Sequence, residues 1–117
     1  MDFYSARVLV ICLVDDGKPR RRNTCDYPFF VFRAKSREQA FERALALGKQ
    51  QETRYKNHKG QWVRWAFVQI EVITRIGRRL DGVEIGSLLD VHRSKRPFSF
   101  AKRFYPEKSK VIYDRYA

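Results

Sequence analysis

Cysteine and histidine are scarce in this chain of 117 residues, which contains two of each. Cys12 and Cys25 belong to no CxxC motif and no Cys/His cluster, so the chain has neither a zinc-finger pattern nor the framework of a disulfide scaffold. We expect two reduced thiols, as is typical of a cytoplasmic protein, with a Cys12–Cys25 disulfide or a metal site as the alternatives. No cofactor is expected.

Glycine and long hydrophobic runs are also limited. The six glycines fit neither a collagen repeat nor a phosphate-binding or dinucleotide-binding loop. No apolar stretch approaches the roughly 20 residues of a membrane span, and Val8–Val14 is too short and too β-branched for a signal peptide. Apolar residues nevertheless make up 44% of the chain, enough for a packed core. We therefore expect one globular domain that binds no membrane.

Two strands and a helix are predicted in the first half of the chain. Apolar residues alternate with a period of two from Tyr4 to Val14, and a second strand covers about Tyr27–Lys35. These strands are expected to form an antiparallel pair. Ser36 and Gln39 form a capping box, and apolar residues then recur at helical spacing. The helix is expected to fray through Gln50–Lys56 and to stop by Asn57–Gly60.

The pattern in the second half of the chain predicts further strands of the sheet. Trp62–Ile76 is the longest strand pattern, and Asp81-Gly82 predicts a hairpin that continues through Val83–Val91. The order strand, strand, helix, strand, strand predicts an α+β fold with an antiparallel sheet and one main helix packed on one face. We expect a core domain over residues 1–92, with a basic, aromatic C-terminal extension over residues 93–117 packed on it or continuing it.

A single helix leaves the other face of such a sheet uncovered. Leu9, Ile11 and Leu13 are expected on that face, together with one side of the Phe29–Phe32 run. The C-terminal tail is one possible cover, and a second copy of the sheet, forming a homodimer through this face, is the other.

Several short motifs follow one another along the chain in the order in which they occur in a known family. They are Tyr4-Ser5-Ala6-Arg7, the helix start from Ala34 to Ala40, and Tyr-x-Asn-x-x-Gly-x-x-Val-Arg-Trp-x-Phe-Val from Tyr55 to Val68. The chain resembles, over about Phe3–Val91, a small bacterial family catalogued as domain of unknown function 4288. The resemblance implies a compact α+β fold in a bacterial or phage-related context. It implies no activity, so no functional residues are carried over.

Positive charge is the most informative feature of the sequence. Lys and Arg number 25 against 13 acidic residues, a net charge of +12. The cations concentrate in the loop after the first strand, around the predicted hairpin, and in the tail, which carries half of the net charge. Such clusters neutralise phosphates, and the rings between the tail cations either stack on unpaired bases or pack on the open sheet face. The candidate polyanion-binding residues are Lys18, Arg20, Arg21, Arg22, Arg75, Arg78, Arg79, Arg93, Lys95, Arg96, Lys102 and Arg103.

Nucleic acid is the expected partner, although no known sequence-specific motif accompanies the charge. The alternative is a protein-interaction module, such as a regulator, inhibitor or immunity-type protein, that binds an acidic protein and uses Trp62, Arg64 and Trp65 as a hot spot. A small enzyme is the remote alternative, on the basis of Asp90 and His92. We expect no catalysis and assign no catalytic or metal-binding residue.

Overall fold

The computed structural model describes residues 1–18, 22–91 and 104–113. The chain divides into two compact units, Met1–Ser87 and Leu88–Ala117. In the described part of the second unit, the regular structure is a 3₁₀ turn at Pro106–Lys108. The first unit contains five strands and one helix: β1 (Asp2–Val14), β2 (Cys25–Asp26), β3 (Phe29–Ala34), α1 (Arg37–Gln50), β4 (Thr53–Lys56) and β5 (Trp62–Gly77). The predicted α+β class is confirmed.

The five strands form one antiparallel sheet in which β1 lies at the centre. On one side β1 pairs with β5 from Phe3 opposite Gly77 to Val14 opposite Val63. On its other side it pairs with β3 and, further along, with β2. The short strand β4 continues the sheet beyond β5. The predicted antiparallel pairing of the first two long strands is therefore confirmed.

The core lies between α1 and one face of the sheet. The period of two in β1 places Tyr4, Ala6, Val8 and Val10 on this face, and all four are buried. The helix presents small residues to them, namely Ala40, Ala44 and Gly48, so its backbone lies close to the strands.

The start of α1 follows the predicted capping box. Ser36 Oγ accepts a hydrogen bond from Gln39 N at 3.1 Å, and Gln39 Oε1 accepts one from Lys35 N at 2.6 Å. The returning bond from Gln39 therefore reaches Lys35, the residue before the cap.

Both cysteines are free thiols, half-buried Cys12 in β1 and exposed Cys25 in β2. No helix in the described ranges has the length and apolar character to cross a membrane.

The predicted fraying of the helix through Gln50–Lys56 is wrong. The helix ends at Gln50, and Thr53–Lys56 forms strand β4. The turn that follows is built around Asn57, whose Oδ1 accepts hydrogen bonds from Lys59 N and Gln61 N, both at 3.0 Å. Gly60 adopts a positive φ of 74° within it. Side-chain and backbone turn chemistry thus makes a β4–β5 hairpin where the sequence suggested the last turns of a helix.

The strand predicted over Val83–Val91 is also wrong. Asp81 and Gly82 do form a turn, but residues 83–91 form no strand. Residues 83–87, which we call the strap, instead cross the sheet face opposite α1, which we call the open face. Ser5 Oγ donates a hydrogen bond to Ile85 O, and Arg7 Nη1 donates one to Ser87 O at 2.9 Å. Because the backbone of β1 is already paired on both sides, only its side chains are available to hold the strap.

Candidate functional site

Three strands of the sheet begin or finish at the same end. Val14, the last residue of β1, lies opposite Val63 in β5, and Lys56, the last residue of β4, lies opposite Trp62. The β1–β2 loop and the β4–β5 turn therefore leave the sheet at the same end. The basic β1–β2 loop predicted to bind polyanions starts here, and its described cations Lys18 and Arg22 are exposed.

Cross-strand pairing assembles a cationic aromatic cluster on the open face at this end. Arg54 lies opposite Arg64, and Lys56 lies opposite Trp62. Because residues opposite one another share a face, and residues two apart in a strand do too, all four side chains project together. We call Arg54, Lys56, Trp62 and Arg64 the Trp62 patch.

Trp62 is the centre of this patch. Its side chain is 41% exposed. The guanidinium carbon of Arg54 lies 4.4 Å from its ring centroid, and Lys56 Nζ lies 5.1 Å from it. Both distances fall within the range of cation–π attraction. These interactions place two cations over the ring, so a base that stacks on Trp62 must displace a cation or use the part of the ring that remains exposed.

The charge of the patch is only partly neutralised. Glu52 Oε2 lies 3.4 Å from Arg64 Nη2 and accepts a hydrogen bond from Phe67 N at the same distance. Within the described ranges, neither Arg54 nor Lys56 forms a salt bridge. Like charges directly opposite each other in a sheet are destabilising, so the Arg54–Arg64 pair opposes folding. An arrangement that costs stability is typical of a binding surface.

A groove of about 650 Å³ runs beside the patch. It is lined by Leu13, Val14, Asp15, Glu52, Thr53, Arg54, Trp62 and Arg64. Apolar side chains of β1 form part of its wall, while arginines from β4 and β5 stand beside Trp62. The groove therefore joins an apolar surface to two arginines and to two carboxylates, those of Asp15 and Glu52, so the excess positive charge of this surface comes from Lys56 of the Trp62 patch.

A model of the family described as Domain of unknown function (DUF4288) matches residues 3–87. The chain belongs to this family. The predicted resemblance is thus confirmed. No curated protein and no solved structure matches the chain. The DUF4288 match contains the entire Trp62 patch and ends with the strap, so the patch belongs to the family domain and the tail lies outside it.

The DUF4288 domain separates the cations that the sequence grouped as one candidate site. Arg75 is near the far end of β5, and Arg78 and Arg79 follow that strand. At about 3.3 Å per residue, the strand from Trp62 to Arg75 is roughly 40 Å long. Arg75 Nε donates a hydrogen bond to Asp2 Oδ2 at 2.7 Å, and this bond raises the pKa of the guanidinium. Arg75 is thus engaged within the domain, far from the Trp62 patch.

The remaining predicted site residues lie outside the described ranges. These are Arg20 and Arg21 in the β1–β2 loop and, in the tail, Arg93, Lys95, Arg96, Lys102 and Arg103. His92 also lies outside them, so the geometry of the Asp90–His92 pair is not described.

Sequence reasoning missed Arg54 and Lys56 because their segment was assigned to the end of the helix. The available signal was the alternation in Thr53-Arg54-Tyr55-Lys56, followed at once by the Asn57–Gly60 turn. Trp65 is half-buried on the other face of β5, so it does not join the Trp62 patch. Of the predicted hot spot, only Trp62 and Arg64 share a surface.

A second groove, of about 550 Å³, lies on the helix side near the far end of β5. Its lining is Tyr4, Arg37, Glu38, Phe41, Glu42, Ile73 and Arg75. Two arginines and two glutamates balance its charge. In the described ranges, no three His, Cys, Asp or Glu side chains come together as a metal site.

Proposed function

We propose that this protein is a non-catalytic bacterial domain that binds nucleic acid through the Trp62 patch, the basic β1–β2 loop and the basic tail. The observation that carries the proposal is the exposed Trp62 ring with Arg54 and Lys56 beside it. Aromatic rings interleaved with cations are the usual elements of a surface that binds single-stranded nucleic acid. The free thiols agree with a reducing compartment such as the cytoplasm.

The patch suits a single strand better than a duplex. Arg54, Lys56 and Arg64 attract phosphates and release their counterions, which gives affinity without sequence readout. Trp62 adds stacking on an unpaired base, worth about 1–3 kcal/mol. In a duplex the bases already stack on one another, so only the phosphate contacts remain. We therefore propose a preference for single-stranded DNA or RNA.

Lys18 and Arg22 of the β1–β2 loop add to the cations of the Trp62 patch. The loop leaves the sheet at the end where the patch lies, whereas Arg75, Arg78 and Arg79 lie at the opposite end. A single strand that contacts both the patch and the loop would meet cations on each, although Asp15 and Asp16 separate Lys18 from β1 along the chain. The tail cations add further positive charge to the protein.

An acidic protein is the alternative partner, since a surface of net charge +12 attracts carboxylates as well as phosphates. Nuclease treatment separates the two in a pull-down, because only a protein partner survives it.

The homodimer expected from the sequence would use the open face, where Leu13 and Val72 remain exposed. Light scattering decides that question, since a monomeric mass at high concentration contradicts it.

Fluorescence anisotropy tests the main proposal. The probes are a labelled oligothymidylate and an oligouridylate, each of about 20 nucleotides, and a mixed-sequence DNA duplex of the same length. We expect the single strands to bind more tightly than the duplex, with affinity falling as salt rises. Failure of all three probes to bind at low ionic strength would overturn the proposal and favour the acidic protein.

A further inference from the structure

The longest unpaired edges of the sheet, one on β5 and one on β3, differ in how well they are protected from pairing with another strand. Beyond β4, the outer edge of β5 runs from Ala66 to Gly77. Three register shifts interrupt its pairing with β1, opposite Phe3/Tyr4, Arg7/Val8 and Leu9/Val10. Bulges and charged residues such as Glu71 and Arg75 are the usual means by which an edge avoids further pairing. The edge of β5 is therefore blunted.

The outer edge of β3 is less protected, because it has no bulge and its single charged residue, Arg33, lies near its end. Its register with β1 is regular from Asp2 opposite Ala34 to Arg7 opposite Phe29. The strand begins Phe29-Phe30-Val31-Phe32 and carries one charge, on Arg33. A regular, apolar edge is a template for an additional strand.

Backbone alternation identifies which groups point outward. Val8 N donates a hydrogen bond to Pro28 O at 3.1 Å, so the carbonyl of Pro28 faces β1. Successive residues of a strand direct their backbone groups to opposite sides, so Phe29, Val31 and Arg33 face away from β1. Arg33 O accepts a hydrogen bond from Arg43 Nη1 at 2.8 Å. Within the described ranges, the outward N–H and C=O groups of Phe29 and Val31 have no partner.

The surroundings of this edge select the charge of an incoming strand. Arg33 lies over the ring of Phe3 and Arg43 over that of Phe32, and in the described ranges neither forms a salt bridge with a carboxylate. Pairing of two β3 edges would bring these cations together in a molecule of net charge +12, which opposes a second copy. Carboxylates on the incoming strand would instead meet uncompensated guanidinium groups.

We propose that the outer edge of β3 is a docking site for an extended acidic segment of a partner protein, which adds to the sheet beside Phe29–Arg33. The backbone of Phe29 and Val31 supplies the pairing, and Arg33 and Arg43 supply the preference for carboxylates. This site is separate from the Trp62 patch, which lies at the β4 side of the sheet.

The test titrates the full chain with a synthetic hexapeptide of alternating Glu and Val. Amide hydrogen exchange of the protein is then measured by NMR with and without the peptide. We expect saturable binding at low salt, with protection of the Phe29 and Val31 amides. A Lys/Val peptide of the same length should not bind. Methylation of the outward-pairing peptide nitrogens should weaken binding about tenfold, because it removes backbone donors without changing charge.

Matched variants separate the edge from general electrostatics. Val31→Glu should weaken binding of the peptide about tenfold, whereas Val72→Glu, at a residue of similar exposure on the blunted β5 edge, should change it less than twofold. Val31→Pro removes an outward N–H. In a folded Val31→Pro variant, the peptide should no longer protect the Phe29 amide from exchange.

Three outcomes would overturn the docking site: no saturable binding, binding that is insensitive to nitrogen methylation, or complete displacement by oligothymidylate without protection of Phe29. The last would assign the peptide to the Trp62 patch. Protection of the Phe29 and Val31 amides in the free protein, with a dimeric mass, would show a second copy on the edge and would also contradict the proposal. Absence of peptide binding and insensitivity to methylation concern only the β3 edge, whereas displacement by oligothymidylate would also show that the oligonucleotide binds the Trp62 patch.

Discussion

The guanidinium carbon of Arg54 lies 4.4 Å from the ring centroid of Trp62, although the two residues belong to different strands. They meet because the chain reverses at Asn57–Gly60 and returns in register. The hairpin thus converts two separate features of the sequence, a basic residue and an exposed ring, into one surface. The predictions on nucleic-acid binding follow from this arrangement.

Replacing Trp62 by alanine should weaken binding of the single-stranded oligothymidylate by about 5- to 150-fold, since stacking contributes about 1–3 kcal/mol. Binding of the duplex should change little. Tyr27→Ala is the matched control, because Tyr27 is 44% exposed and lies between β2 and β3, away from the patch. Anisotropy measures both variants, and equal losses for Trp62→Ala and Tyr27→Ala would contradict a specific stacking role.

Replacing Arg54 by glutamine should reduce the salt dependence of single-strand binding. Removal of one phosphate-binding cation lowers the slope of log K against log salt by about 0.7. The control is Arg33→Gln, which removes another arginine that lies over a ring, 4.6 Å from the centroid of Phe3. An unchanged slope for Arg54→Gln, or the same reduction for Arg33→Gln, would show that the phosphates are bound elsewhere.

Gly48→Ala should destabilise the domain, although alanine is usually favoured over glycine in a helix by about 1 kcal/mol. A Cβ at this position would lie 2.5 Å from the Phe67 ring, so the ring, or α1 with it, would have to shift. Overpacking of this kind costs about 1–3 kcal/mol. Urea denaturation measures the change.

The combination Gly48→Ala with Phe67→Leu is the control for that prediction. The smaller, more adaptable side chain should relieve the clash, so the double variant should be more stable than the sum of the single effects. Additive losses would mean that Phe67 is not the group that excludes a side chain at position 48.

Ser5→Ala should loosen the strap. The hydroxyl donates to Ile85 O, and removal of one such bond typically costs about 0.5–1.5 kcal/mol. We expect faster proteolysis within residues 83–87 and a small decrease in the free energy of unfolding. Ser87→Ala is the control within the strap itself, since the Arg7 bond there uses the backbone carbonyl. If both variants are cleaved at the wild-type rate, Ser5 does not hold the strap.

Local patterns account for the parts of the fold that were predicted correctly. Alternation in Tyr4–Val14 and the Ser36–Gln39 capping box depend on neighbours in sequence, and both produced the expected element. The Asp81-Gly82 signal was misleading because a turn becomes a hairpin only if the returning chain finds an unpaired, regular edge. The available edge of β5 is bulged, and the chain crosses the open face instead.

The sequence by itself determined the α+β class, the position of the helix, the DUF4288 membership and the excess of positive charge, because these depend on composition and short-range spacing. Only the tertiary structure decided which cations lie together. It brought Arg54 and Lys56 to Trp62 and placed Arg75 at the other end of β5. Neighbours across a sheet are set by register, which depends on burial of whole strand faces and on turn geometry, so residue spacing along the chain does not reveal them.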